Sequence, residues 1–306
     1  MNKVCVIGSY AKALVMTSNR IPLAGETLVG YDYRETYGGK GSDMAVQAAR
    51  LGADVDYIGV VGDDLFGNEF EALMKQEKIN TKGLRITSEQ PTGVGFIVKD
   101  VNALNVIIVD KGANALFSTE DIDAHLDLIK ECDVVLAQLE IPLETALYAM
   151  KKAKELGKIT VLNPAPAVDL SNQDLSNCDY VTPNETEARV VVGMLPTDNI
   201  SNRQAADKLL ANGCKSVVMT LGGDGVDYFT TDESRHFDSY KIDVVDSNGA
   251  GDSFNASFCT ALSRNLALED AVKYAKATAG LCCTKWETVP SYHTHKQVIA
   301  FIESKE

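Results

Sequence analysis

Apolar positions along the chain alternate between two periods. Short runs rich in β-branched residues occur at Val4–Ile7, Val55–Val61, Val134–Leu139, Ile159–Leu162, Tyr180–Thr182 and Val217–Leu221, with the length and composition of buried strands. Helical patterns lie between most of them. Phe66, Phe70, Leu73 and Met74 recur at i, i+4, i+7 and i+8, on one helix face. Ser118 with Asp121 reads as the capped start of a helix over Thr119–Cys132. Pro142 opens another that runs to Gly157, and Ser201–Asn212 repeats the pattern before Gly213. Strands alternating with such helices predict βαβ units and an α/β fold around a mainly parallel sheet. From Gly249 onward the pattern is mostly helical.

Residues 14–36 and 91–110 break the alternation, being strand-like with little helix between their segments. Thr92–Lys99 and Leu104–Asp110 flank a short polar turn at Asp100–Ala103 and read as a hairpin. These two regions predict a small sheet projecting from the α/β body, as a lid or a dimer surface. With no repeat and no long linker, residues 1–306 read as one domain with an insertion.

Composition narrows the partners. Asp plus Glu number 43 against 29 Lys plus Arg, a net charge of −14, which argues against nucleic-acid and anionic-membrane surfaces. A single phosphorylated ligand needs only a local site. Met1–Gly8 has too short an apolar core for a signal peptide, and no stretch approaches a membrane span. The seven cysteines are scattered and form no C-x-x-C, so they read as free thiols of a reducing, cytoplasmic compartment.

Four polar segments carry candidate chemistry. In the first, Val244-Val245 reads as a strand end, followed by Asp246-Ser247-Asn248, Gly249-Ala250-Gly251-Asp252 and a helix. Glycines at a helix N-terminus leave amides free to hold an anion, and a carboxylate beside them can take a proton from an attacking hydroxyl. By itself Asp252 reads first as a helix-start carboxylate. The second is Tyr37-Gly38-Gly39-Lys40-Gly41-Ser42-Asp43 before a helix; it lacks the Walker A spacing. In the third, Asn184 and Glu187 stand three apart at a strand-to-helix junction, as for one magnesium–water cluster or for a capping box. The fourth, Thr220-Leu221-Gly222-Gly223-Asp224-Gly225, also fits a tight turn. All four are read at strand C-terminal ends, the ligand edge of an open α/β sheet.

Together these segments resemble the ribokinase family of sugar kinases, also called the PfkB family. Pro22 with Ala24-Gly25-Glu26-Thr27, GGKG at 38–41, AARLG at 48–52, Val60–Asp64, Asn163-Pro164-Ala165-Pro166, NETE at 184–187, Thr220–Gly222 and GAGD at 249–252 follow in the family's order. The resemblance is strongest to its ribokinase branch. It implies a ribokinase-like three-layer α/β fold with a small β-sheet lid, and ATP-dependent phosphorylation of a primary hydroxyl of a small sugar. Asp252 is then the catalytic base, with the Gly249, Ala250 and Gly251 amides as anion hole. Gly39, Lys40, Asp43, Glu140 and Asp246 fall on the sugar side. Asn184, Thr220, Gly222, Gly225 and Lys276 fall on the nucleotide side, with Asn184 and Glu187 organising magnesium. Asp246, Asn248 and Ser291 fall on the ligands of a monovalent cation such as potassium, mostly through carbonyls. The lid is also the implied homodimer contact.

Four residues depart from the pattern. Ala11 and Ala13 stand where the family has Asn and Asp, Asp43 where it has Asn, and Glu287 where ribokinases have Gly. The first three imply that ribose is a poor substrate; the last bears on potassium activation. A nucleoside or modified or amino sugar, and a non-catalytic binding protein, are the competing readings. His293 and His295, two apart, read as surface residues, and His125 and His236 have no visible partners.

Overall fold

The computed structural model describes residues 2–101 and 104–305. From the N-terminus run β1 (Lys3–Ile7), β2 (Ala11–Thr17), β3 (Tyr31–Gly38), α1 (Lys40–Arg50), β4 (Asp54–Gly62), α2 (Leu65–Gln76) and β5 (Asn80–Thr87). Next come β6 (Gly93–Lys99), β7 (Asn105–Asp110), α3 (Thr119–Asp123), α4 (Leu126–Glu131), β8 (Val134–Ala137), α5 (Leu143–Glu155) and β9 (Ile159–Leu162). They are followed by β10 (Tyr180–Val181), α6 (Glu185–Val191), α7 (Asn202–Ala211), β11 (Ser216–Thr220), β12 (Val226–Phe229) and β13 (Ser234–Phe237). The chain closes with α8 (Ala250–Ser263), α9 (Leu268–Cys282) and α10 (His295–Lys305).

The main sheet has the order β13-β12-β11-β10-β9-β8-β1-β4-β5 and is parallel except that β12 runs against its neighbours β11 and β13. Both its faces are covered, as a parallel sheet requires. Along β1 the side chains alternate between two apolar clusters: Val4 and Val6 join one with Met44, Phe254 and Phe258, while Cys5 and Ile7 join the other with Ile122, Met150 and Leu209. The result is the expected three layers. A separate sheet, β3-β2-β6-β7, stands over the C-terminal ends of the central strands, with β2 and β6 parallel and the other pairs antiparallel. The hairpin is present as expected; the tip of its polar turn, Asn102 and Ala103, lies outside the described residues.

Four expectations need correction. The helix over Thr119–Cys132 is two helices, because His125 leaves the helical region (φ −127°) and caps α4. Val244 and Val245 form no strand. The amides of Val245 and Asp246 bond the carbonyl of Cys283 past the end of α9, and no neighbouring strand among the described residues is there to pair with them. Strand propensity without a partner strand does not make a strand. His293 is buried, not superficial, and its Nδ1 has no hydrogen-bond partner. His236 does have a partner: Nδ1 lies 2.7 Å from Asp227 on the adjoining strand. The cysteines are free, and all but Cys283 are buried.

Candidate active site

The junctions after β1, β3 and β8 meet at one point. Glu140 Oε2 accepts hydrogen bonds from Ser9 Oγ (2.5 Å) and from the Lys40 amide (2.8 Å), and Gln138 Nε2 donates to the same Ser9 Oγ (2.6 Å). A side chain at position 41 would place its Cβ 2.4 Å from the Ser9 amide nitrogen, so only glycine lets the start of α1 approach β1 this closely. That packing turns Lys40 toward α8, with Nζ 3.8 Å from Asp252 Oδ1.

At the other helix, Gly249 caps α8 with φ 75°, and a Cβ there would lie 2.8 Å from Tyr292 Oη. Above Gly251 the space is open: a Cβ would meet nothing within 4 Å. The Gly251 amide belongs to the first helical turn and has no intrahelical acceptor, whereas Ala250 N makes a long 3.3 Å bond to Ser247 O. The helix dipole adds positive character at the same spot.

Asp252 is 7% exposed and its Oδ1 accepts no hydrogen bond. Burial pushes its carboxyl up to about 6; Lys40 opposes this, and the charges of Glu140 and Glu187 add to it. Asp43 is similarly buried with an unpartnered Oδ1. Burial and then the charge of Asp252 push its carboxyl well up, against the Thr288 hydroxyl. Lys40 is held protonated, chiefly by Asp252. Two buried carboxylates thus share one lysine, and like charges this close do not both ionise readily.

A cavity of about 280 Å³ opens above this floor, large enough for a monosaccharide; its polar side includes Lys40, Asp43, Glu140 and Asp252. Its roof is one face of the small sheet. Alternate residues point inward: Ala11, Ala13 and Val15 from β2, Gly95, Ile97 and Lys99 from β6, Asn105, Ile107 and Val109 from β7, with the paired Lys99 and Asn105 making the hairpin end polar. Lys12 does not supply the polarity that the two alanines lack, because Nζ is held by Glu69 (2.5 Å) and Glu35 (3.3 Å). Tyr10 is fully buried and stacked on Phe70.

The nucleotide-side residues lie outside the lining of this cavity. Asn184 and Glu187 form a reciprocal capping box on α6, each side chain accepting the other's amide at 2.8 Å. Burial pushes the Glu187 carboxyl up. Asn184 pairs with Thr220 in a short parallel bridge, and Gly222 and Gly225 bound the turn between β11 and β12. Lys276 Nζ donates to Asp238 O (2.7 Å) over the Tyr240 ring, and burial lowers its pKa. Thr182 Oγ1 donates to Asn255 Oδ1 (2.5 Å), Asn255 Nδ2 to Gly251 O (2.9 Å), and Asn163 Nδ2 to Thr182 O (2.8 Å). These bonds tie three of the sequence segments together around the start of α8.

Asp246 does not line the cavity: its two carboxylate oxygens accept the amides of Asn248 and Glu287, so it braces two loops. Asn248 does line it. Ser291 is buried beside Cys282, whose Sγ lies 3.6 Å from Asn248 O, and Ser291 Oγ donates to Thr288 O. Among the described residues no group of three or more His, Cys, Asp or Glu side chains could hold a metal ion.

Sequence reasoning missed Thr288, Tyr292 and Asn114. Asn114 imitates a strand partner, accepting from Tyr10 N (3.0 Å) and donating to Tyr10 O (2.7 Å), which fixes the entry to β2. Its polar side chain in the otherwise apolar Ala113–Phe117 segment was the available signal.

Comparison with known proteins agrees with this geometry. A family model described as pfkB family carbohydrate kinase matches residues 1–295. The chain is 36% identical over 298 residues to a ribokinase of Haemophilus influenzae, covering 97% of each protein. It is 34% identical over 305 residues to a deoxyribokinase of Salmonella typhimurium, covering 99% of each. The structure of Arabidopsis thaliana ribokinase complexed with ribose and ATP superposes with a TM-score of 0.88 at 28% identity, covering 98% of each chain.

Proposed function

The chain belongs to the pfkB family of carbohydrate kinases, and from that premise we propose that its sugar carries few hydroxyls on the side facing the lid. The activity is ATP-dependent transfer of a phosphoryl group to a primary hydroxyl of a small sugar. The observation that carries the substrate reading is the aliphatic stretch of the roof around Ala11, Ala13 and Val15, with Lys99 and Asn105 only at its hairpin end, over a polar floor. A hydroxyl buried against Ala11 and Ala13 finds no partner there, at a cost of about 1–3 kcal/mol each. The likeness to a deoxyribokinase supports a substrate of this kind.

In this reading the sugar lies on Gly39, Lys40, Asp43 and Glu140, with its primary hydroxyl toward Asp252. An ionised Asp252 takes the hydroxyl proton as the oxygen attacks the γ-phosphate. The Gly251 amide, the α8 dipole and Lys40 face the charge that builds on the transferred group. Asp43, sharing the site with that carboxylate, retains its proton more readily and can then donate as well as accept. Asp246 acts indirectly, by holding the loops around Asn248 and Glu287.

Magnesium, when bound, would neutralise the nucleotide's phosphates. With no protein cage among the described residues, it would arrive on ATP and meet Glu187 through water. A monovalent cation would draw on oxygen donors of Asp246, Asn248 and Ser291, which lie on loops joined by the Asp246 carboxylate and by the contacts of Cys282 with Asn248 O and Ser291. Free, mostly buried cysteines support a reducing, cytoplasmic setting, and residues 1–306 act as one kinase unit with its lid.

The experiment is sugar-dependent ADP release over pentoses, deoxypentoses, amino sugars and nucleosides, with the product located by phosphorus NMR. Phosphate on the primary hydroxyl of a sugar is expected. ADP release with nucleosides only, or with nothing offered, would overturn the reading in favour of a nucleoside kinase or a binding protein. Replacing potassium by tetramethylammonium in the same assay should lower the rate; an unchanged rate would remove the cation site.

A further inference from the structure

Three consecutive residues in the loop after α9 each touch the lid. The Trp286 ring lies 5.9 Å from Lys99 Nζ of β6, Glu287 Oε1 lies 3.2 Å from Arg34 Nη1 of β3, and Thr288 Oγ1 donates to the Tyr37 carbonyl of β3 at 3.3 Å. The middle residue is the unusual one. Glu287 has φ 71°, a conformation that glycine adopts without cost and a side-chain-bearing residue does not. Its amide is fixed by Asp246 Oδ2 at 3.1 Å, the same carboxylate that holds the Asn248 loop. Its partner Arg34 is pre-oriented by Asp32 through two bonds of 3.1 and 2.7 Å, and Asp32 also has a positive φ of 55°. Glu287 and Thr288 line the sugar cavity on the side of Asn248 and Gly249. Strain of this kind persists where the surrounding structure holds it, and it points to a use for the side chain.

We propose that Glu287 is a positioning residue that clasps the lid through Arg34, linking lid closure to the Asp246–Gly249 loop that carries the anion hole. The assignment of the cavity to a sugar rests on the function proposed above; the clasp itself does not. The Arg34–Glu287 contact is exposed and weak singly, and the Thr288–Tyr37 bond is half-buried. Together with the Lys99–Trp286 contact they fix β3 and β6, two strands separated by β2, to one loop. Closing the lid therefore sets how firmly a sugar is held, with little effect on the nucleotide.

The test combines two readouts on the full-length protein, for Glu287→Gln, Arg34→Ala, Arg34→Lys and the double variant Arg34→Ala/Glu287→Gln. Amide hydrogen exchange without any ligand should be at least about fivefold faster over Tyr31–Gly38 in the Gln and Ala variants. It should stay near wild type in Arg34→Lys, and the double variant should be no worse than either single, as for a coupled pair. With the preferred sugar, KM for the sugar should rise about tenfold while KM for ATP stays within twofold. Unchanged exchange over Tyr31–Gly38, or additive effects of the two substitutions, would overturn the clasp. Because exchange is measured without substrate, it tests the clasp even if the protein proves not to phosphorylate a sugar. Altered exchange with an unaltered sugar KM would overturn its role in substrate holding.

Discussion

Asp252 and Asp43 come from the first turns of different helices and are both buried within electrostatic reach of Lys40. A base with a pKa near 6 is ionised at neutral pH yet still basic enough to accept a proton in the transition state. The sign follows directly: protonation below that value removes the acceptor, so kcat should fall with decreasing pH through about 6 and level off above it. Asp252→Asn keeps the size but not the basicity. Its kcat should fall by roughly 10²–10⁴, with ATP affinity little changed and the acidic limb lost. Activity within threefold of wild type would remove Asp252 from the role of base. Asp43, Asp252 and the glycines beside them stood out in the sequence because they fall in short polar segments between apolar runs, whereas Glu140, in Gln138-Leu139-Glu140-Ile141, was reached only through the family resemblance. The burial of Asp43 against Asp252 was not legible, since residues so far apart along the chain are brought together only by the packing of α1 on α8.

Among the elements, the sequence periods located the central strands and most helices, because burial on both sheet faces leaves unmistakable β-branched runs. They failed where local preference met a tertiary constraint, at His125 and at Val244-Val245. The α6 capping box shows how one element can hold two roles. Glu187 caps the helix with Oε2, and in the function proposed above its other oxygen would meet water on a nucleotide-bound magnesium. Glu187→Gln preserves the cap geometry, since Gln also serves at that position, while removing the charge. The magnesium concentration for half-maximal activity should rise about threefold or more. A magnesium titration that does not move would leave Glu187 as a cap alone.

For the whole molecule, the small sheet presents apolar residues on both faces, Ile107 and Val109 inward at 52% and 57% exposure. The inner one roofs the cavity. On the outer one, Phe96, Val106 and Ile108 are 54%, 44% and 68% exposed, and Leu14 and Phe96 stand in register beside Ile108. A contiguous apolar face on adjacent strands is what a second copy would cover, so we propose a homodimer through the lid. Sedimentation should give a dimer at micromolar concentration and a monomer for Phe96→Glu/Ile108→Glu; a monomeric wild type would exclude it.

Selection by the cavity roof against a fully hydroxylated pentose is read from kcat/KM for D-ribose relative to the best sugar, measured in the wild type and in Ala11→Asn/Ala13→Asp. The wild-type ratio should be at least about tenfold below unity, the effect of one or more unpaired hydroxyls, and the double substitution should raise it. Efficient ribose phosphorylation by the wild type, or a ratio unmoved by restoring polar groups at 11 and 13, would show that the roof does not select against ribose.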